Sequence, residues 1–191
     1  MRPFDVPTRE DVSEQNRQIF DDLKDKVGFV PNIYATYAHS STAPARYLTF
    51  SNSESSLNNR EKEAINLVTS QVNGCSYCLA AHTKIGGMNG FTEEQTLEIR
   101  QGQALFDSKL HAVVTLAQTV ARNRGRVSDS DLEAFFGAGH DKEKLVDVIV
   151  QVGEKSITNL LHNVTQILVD FPEAPELDSA KTETVGEESH A

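Results

Sequence analysis

Residues 58–84 read NNREKEAINLVTSQVNGCSYCLAAHTK. Asn58, followed three residues later by Glu61, has the form of a capping box, in which each side chain serves the other's backbone N–H at a helix start. Behind it Ala64, Ile65, Leu67, Val68 and Val72 recur at helical spacing. Asn73-Gly74 then breaks the helix. A second helix is predicted to start near Cys75 and run to the GGMNG stretch at 86–90. The segment is therefore a pair of helices joined by a two-residue break.

The same pattern extends in both directions. Upstream, Thr8 with Asp11 predicts a helix start, Val12, Ile19, Leu23 and Val27 mark its face, and Gly28 ends it. Pro31 disfavours helix before it, and Asn32 is read as the cap of a short helix carrying Ile33, Tyr34 and Tyr37. Another short helix is predicted from Pro44, a first-turn position that proline tolerates, with Tyr47, Leu48 and Phe50. Downstream, Thr92 with Gln95 caps a helix through Ile99. A longer one is predicted from Leu105 to Asn123, with Leu105, Ala112, Val113, Leu116 and Val120 on its core side. Ser128 with Asp131 opens the next, ended by Gly137 to Gly139. Asp141 opens the last, predicted to reach about Val169. Its stretch KLVDVIVQV (144–152) has β-branched character, but Leu145, Ile149, Val152 and Ser156 fit one helix face, and length favours helix. No clear strand and no solenoid-period repeat is visible. The expectation is an all-α protein with one helical domain over 1–171 and an acidic, proline-containing tail over 172–191, ordered at its start and mobile at its end.

Composition sets outer limits. The chain has 191 residues, enough for one sizeable core, and 38% hydrophobic and 24% charged residues, the balance of a water-soluble globular domain. Its formal net charge is −10, and its basic residues are scattered, so neither nucleic acid nor an anionic membrane is expected as a partner. No stretch approaches the roughly 20 apolar residues of a membrane span. The N-terminal MRPFDVPTRED has no apolar core of a secretory signal, which points to the cytoplasm.

The only two cysteines are Cys75 and Cys78, with His82 four residues further on. Haem attachment requires a histidine directly after the second cysteine, where Leu79 stands. Structural zinc requires four ligands; Cys75, Cys78 and His82 offer three, with Glu63 or a remote histidine as the fourth. A redox dithiol fits the local geometry. Residues three apart share a helix face, and a helix N-terminus favours the thiolate. His82, one turn beyond Cys78, can serve as its base. Two small buried cysteines beside a hydrogen-bonded histidine is the remaining reading. Residue types alone leave zinc, dithiol and buried pair open.

The spacing Glu63, Cys75, Cys78, His82 resembles the E-x(11)-C-x-x-C-x-x-x-H motif of the AhpD-like alkylhydroperoxidases, within the carboxymuconolactone decarboxylase superfamily. GFVPNIY at 28–34 and TNLLHNVTQILVDFP at 158–172 look like flanking segments of its longer, peroxidase-related members, so the resemblance spans about residues 10–175. It implies an all-helical fold and a homo-oligomer, typically a trimer or hexamer. It also implies a thiol-dependent peroxidase acting on hydrogen peroxide or organic hydroperoxides, with no cofactor and no metal. Cys78 would be peroxidatic. Cys75, nearer the helix end and more exposed, would be resolving. Glu63 and His82 would relay protons through a water, and a dithiol, thioredoxin-like or lipoyl reductant would restore the thiols. The best-studied branch places a histidine between the cysteines. Here Tyr77 stands there, and a phenol of pKa about 10 is no base near neutral pH. His162, in NLLHNVTQ, is a secondary candidate. Two alternatives remain: a non-enzymatic redox-responsive oligomer or holdase, and lactone decarboxylation, whose branch lacks the dithiol.

Overall fold

The computed structural model describes residues 4–177. Its architecture is built around one helix that is buried on almost every side. In α4 (Asn59–Val72) every residue from Glu63 to Ser70 is buried, and a helix that is covered all round must be the centre of its domain. Around it pack α5 (Ser76–Met88), α6 (Glu93–Arg100), α7 (Ser108–Arg122) and α9 (Lys142–Thr165). Ile65, Leu67 and Val68 of α4 meet Val113, Val114, Leu116 and Ala117 of α7 and Val148 and Val152 of α9 in the main core. α8 (Asp129–Gly137) closes it with Phe135. The N-terminal α1 (Glu14–Val27), α2 (Asn32–Tyr37) and α3 (Ala43–Ser51) form a second layer over α5 and the C-terminal end of α9. Among the described residues there is no strand, and no helix is long and apolar enough to cross a membrane.

Capping boxes at Asn58, Thr92 and Ser128 form as their spacing predicts, each with both reciprocal bonds. The Thr8–Asp11 box also forms, but it closes only a 3-10 turn (Arg9–Asp11). α1 instead starts at Ser13, whose side chain accepts the Asn16 N–H. Its buried face is Asn16, Phe20 and Leu23, while Val27 is 48% exposed. α2 is capped by Pro31, not Asn32.

Leu105 lies outside α7 and is 71% exposed, because Asp107 takes the cap by accepting the Lys109 and Leu110 N–H groups. On α9 the buried face runs through Val148, Val152, Lys155, Asn159 and His162. That face is rotated from the predicted stripe, and Ile149 is 48% exposed. α9 stops at Thr165, where Gln166 turns left-handed (φ 51°). The chain then folds back onto α2: Asp170 accepts the Asn32 N–H (2.7 Å), and Leu168 O accepts from the Asn32 amide (3.1 Å). Of the tail predicted at 172–191, the described part, 172–177, is neither helix nor strand, and Pro175 O accepts from Arg100 (2.6 Å); the rest lies outside the described residues.

The α4–α5 turn orients the whole centre. The Gly74 N–H bonds to Gln71 O (3.2 Å) and the Cys75 N–H to Ser70 O (3.0 Å), with Gly74 at φ +64°. This is a Schellman ending, which satisfies two of the last α4 carbonyls and needs a left-handed residue that glycine supplies without penalty. The helix α9 pins the turn from outside: Asn163 donates to Asn73 O (2.8 Å), and the Asn73 side chain donates to Asn159 Oδ1 (2.9 Å). An added Cβ at Gly74 meets nothing within 4 Å. Gly74→Ala is therefore expected to cost only the left-handed penalty, about 1–2 kcal/mol. A urea titration of the two proteins measures it as a lower midpoint at unchanged slope.

Candidate active site

The turn delivers the dithiol to the start of α5. Cys75 is at once the residue after the Schellman glycine and the N-cap of α5, its Sγ accepting the Cys78 N–H (3.3 Å). Cys78 occupies the third helical position, where free N–H groups and the helix dipole favour negative charge. Both cysteines are free thiols and both are buried, Cys75 at 0% and Cys78 at 3% exposure. The expectation that Cys75 is the more exposed one is thus wrong. As the residue that leaves α4, it is folded under α9, beneath Asn159.

The two thiols are electrostatically unequal. The Cys78 thiol is pushed down to about 6, first by the hydrogen bond from Cys75, against the cost of burial, and then by Lys155 and His82. The Cys75 thiol is pushed far up by the same partnership and by burial. The same contact therefore favours the anion at Cys78 and the thiol at Cys75.

Antiparallel packing of α4 on α5 brings Glu63 to His82. Glu63 Oε2 lies 2.7 Å from His82 Nδ1, and Glu63 Oε1 accepts from the Asn66 amide (3.2 Å). Both residues are buried. Burial opposes ionisation of Glu63, but His82 and Lys155 hold its carboxyl below the usual range. The contact between the two is direct. With Nδ1 engaged by the carboxylate, Nε2 of His82 is the nitrogen left to exchange a proton.

A cavity of about 190 Å³ opens on this group. Val27, Pro31, Ile33, Tyr34, Ile85 and Phe171 give it apolar walls, and Cys78, His82, Lys155 and Thr158 supply the polar groups. The exposure of Val27 is explained here, since it stands at this cavity rather than in the core.

Tyr77 also reaches the cavity, but its hydroxyl is committed. It donates to Asp170 Oδ1 (2.5 Å) and accepts the Ile33 N–H (3.2 Å). Burial and Asp170 push the phenol well above its ordinary value, so Tyr77 is a strut between α5, α2 and the C-terminal segment. His162 lies behind it, ring centroids 5.5 Å apart, buried and outside the cavity lining. Its Nδ1 has no partner among the described residues. Nor do three or more His, Cys, Asp or Glu side chains among them converge as a metal site.

Three residues of this site escaped the sequence reading. Lys155 and Glu154 lie side by side on α9, both buried. Glu154 accepts from the Tyr47 hydroxyl and from Gln151 Nε2 (2.6 Å), and Gln151 also donates to Asn66 Oδ1 (2.9 Å). Asp170 joins Tyr77 to Asn32. The available signal was the α9 register: Lys155 falls on the Val148–Val152–Asn159 face, where a lysine should be buried.

The profile of the Carboxymuconolactone decarboxylase family matches residues 40–118, from ahead of α3 through the dithiol to α7. That match spans the helices that carry the dithiol and covers less than half of the chain. No curated protein matches it. Its AhpD-like fold is shared with solved structures. An uncharacterized peroxidase-related protein with an AhpD core from Ralstonia eutropha JMP134 aligns at TM-score 0.79 and 23% identity, over 87% of this chain and 91% of that one. An uncharacterized peroxidase-related protein from Silicibacter sp. TM1040 aligns at 0.76 and 22%, over 86% and 90%. A debrominase solved in complex with 2,3,4-tribromopyrrole aligns at 0.71 and 13%, over 86% and 90%. At these identities the likeness establishes the fold. The fold brings Cys78 and His82 to one cavity, with Cys75 and Glu63 in contact with them from behind, Tyr77 at its edge and His162 outside its lining.

Because Cys78 is depressed to about 6, it is thiolate above that pH and thiol below it. Iodoacetamide labelling of the reduced protein, read by peptide mass spectrometry, is expected to rise through about pH 6 and level off by about pH 8. Cys75 should stay unlabelled throughout this range.

Proposed function

We propose that this chain is a thiol-dependent peroxidase that reduces hydrogen peroxide or organic hydroperoxides through a Cys75–Cys78 dithiol. The observation that carries the reading is the unequal dithiol: a thiolate at an apolar cavity, its protonated partner one turn away, and a histidine–glutamate pair alongside. The Cys78 thiolate attacks one oxygen of the O–O bond. The S–O bond forms, the O–O bond breaks, and the leaving alkoxide or hydroxide takes a proton from His82, which Glu63 orients. Cys78 is now a sulfenic acid. Cys75 loses its proton, its sulfur attacks Cys78 Sγ, and hydroxide leaves as water, closing the disulfide. An external dithiol supplies two electrons and two protons to reopen it. Complete burial of Cys75 means that this last step requires α5 or the C-terminal segment to give way to the reductant.

The test is hydroperoxide loss with cumene hydroperoxide and a dithiol reductant. Wild type should turn over, and Cys78→Ser should fall to background. Cys75→Ser should trap one equivalent of sulfenic acid, detected by dimedone. Loss of no hydroperoxide by wild type would remove the peroxidase reading. A clean disulfide with no turnover but a change of assembly size on oxidation would put a redox-responsive oligomer in its place.

We further propose that the protein self-associates through α9. On its outer side Val146, Val150, Ile157, Leu160 and Val164 are all at least 42% exposed. With Gly153 between them, they recur every three or four residues, the spacing of a coiled-coil seam. Leu160→Glu is expected to lower the mass measured by light scattering to that of a smaller species, with helical content retained.

A further inference from the structure

We infer that Lys155 is the fixed counter-ion of the Cys78 thiolate, a positioning residue that keeps the nucleophile charged in an otherwise apolar cavity. The inference rests on the dithiol reading above and adds a residue that the motif does not contain.

A buried lysine is costly unless a charge compensates it. Lys155 is 6% exposed, yet among the described residues its ammonium makes no ion pair or hydrogen bond. The two nearby carboxylates are already taken. Glu154, its neighbour on α9, accepts from Tyr47 of α3 and Gln151 of α9. Glu63 of α4 accepts from Asn66 and contacts His82 of α5. Tyr34 of α2, which also faces Lys155, is kept neutral by burial, while His82 and Tyr77 of α5, in the same cavity wall, are engaged with Glu63 and Asp170. What remains open to the ammonium is the cavity that it lines together with Cys78. The attraction is mutual: Lys155 favours the Cys78 anion, while burial, which alone would neutralise Lys155, is outweighed by Glu154 and Cys78.

The arrangement separates two tasks. Cys75, as hydrogen-bond donor, supports the Cys78 anion only while it keeps its own proton. A lysine in the wall is a permanent charge. It also faces the cavity where negative charge develops on the departing oxygen, so its field favours both ends of the attack.

The test is the pH profile of Cys78 alkylation, which needs no peroxide. Lys155→Met removes the charge at similar volume, and Lys155→Arg keeps the charge. The Met variant should titrate about 1–3 pH units higher than wild type. Its plateau rate should rise roughly 3- to 30-fold, because a more basic thiolate is more nucleophilic. The Arg variant should stay near wild type. A Met profile superimposable on wild type, in protein of unchanged circular dichroism, overturns the inference.

Should the Met variant not fold, the reciprocal measurement decides. By linkage, the ¹³Cε resonance of Lys155 should titrate at lower pH in Cys78→Ser than in wild type; an unmoved resonance overturns the inference. The two readings fail separately. A shifted profile without hydroperoxide turnover removes the peroxidase alone, and turnover with an unshifted profile removes the lysine alone.

Discussion

The turn at Asn73–Gly74 is the constraint on which the rest depends. A left-handed glycine ends α4 and lets the next residue begin α5, so one cysteine belongs to both helix ends. Everything at the site follows from that reversal. It sets Cys75 Sγ against the Cys78 N–H, aims the start of α5 at the thiols, and folds α4 back so that Glu63 meets His82 across the pair. Asn159 and Asn163 of α9 hold the reversal in place, and the same helix supplies Lys155. The positioning of the turn and the electrostatics of the thiolate thus share one scaffold element.

Burial is the second theme. Cys78, Glu63, His82, Glu154 and Lys155 all lie out of water, and in that environment each charge depends on the others. The carboxylates accept from neutral or histidine donors, and the Cys78 anion is favoured by Cys75, Lys155 and His82 together. The opposing shifts of the two cysteines come from the same setting: burial raises both, and the contact between them lowers Cys78 and raises Cys75 further. The burial that makes Cys78 responsive to its neighbours also covers Cys75, so the reductant of the proposed cycle would reach it only after movement.

Much of this was legible in the sequence because it is local. Capping boxes at Asn58, Thr92 and Ser128 fixed helix starts to the residue, and the Asn-Gly break put Cys75 at a helix edge. Where local rules competed with packing they failed. The Thr8 box formed but closed only a 3-10 turn. Leu105 has the spacing of a core residue, yet Asp107, two residues later, is the better cap. The α9 face was misjudged because its apolar residues lie on both sides, the outer set forming an exposed seam. Lys155, Glu154 and Asp170 were passed over because each becomes functional only through remote partners: Tyr47 and Gln151 for Glu154, Tyr77 and Asn32 for Asp170, the cavity for Lys155. No spacing rule records such meetings. Glu63 shows the same limit from the other side: one residue before an apolar stripe it looks solvated, and only its motif spacing marked it.

The central claim is that Cys78 and Cys75 together convert one hydroperoxide to one alcohol. The most direct measurement is a single turnover. Fully reduced protein is mixed with one equivalent of cumene hydroperoxide and no reductant; alcohol and free thiols are counted, and the disulfide is mapped by peptide mass spectrometry. The account predicts one alcohol formed, two thiols lost, and a Cys75–Cys78 disulfide within one chain. Intact hydroperoxide beside two free thiols, or oxidation that spares Cys78, would contradict it.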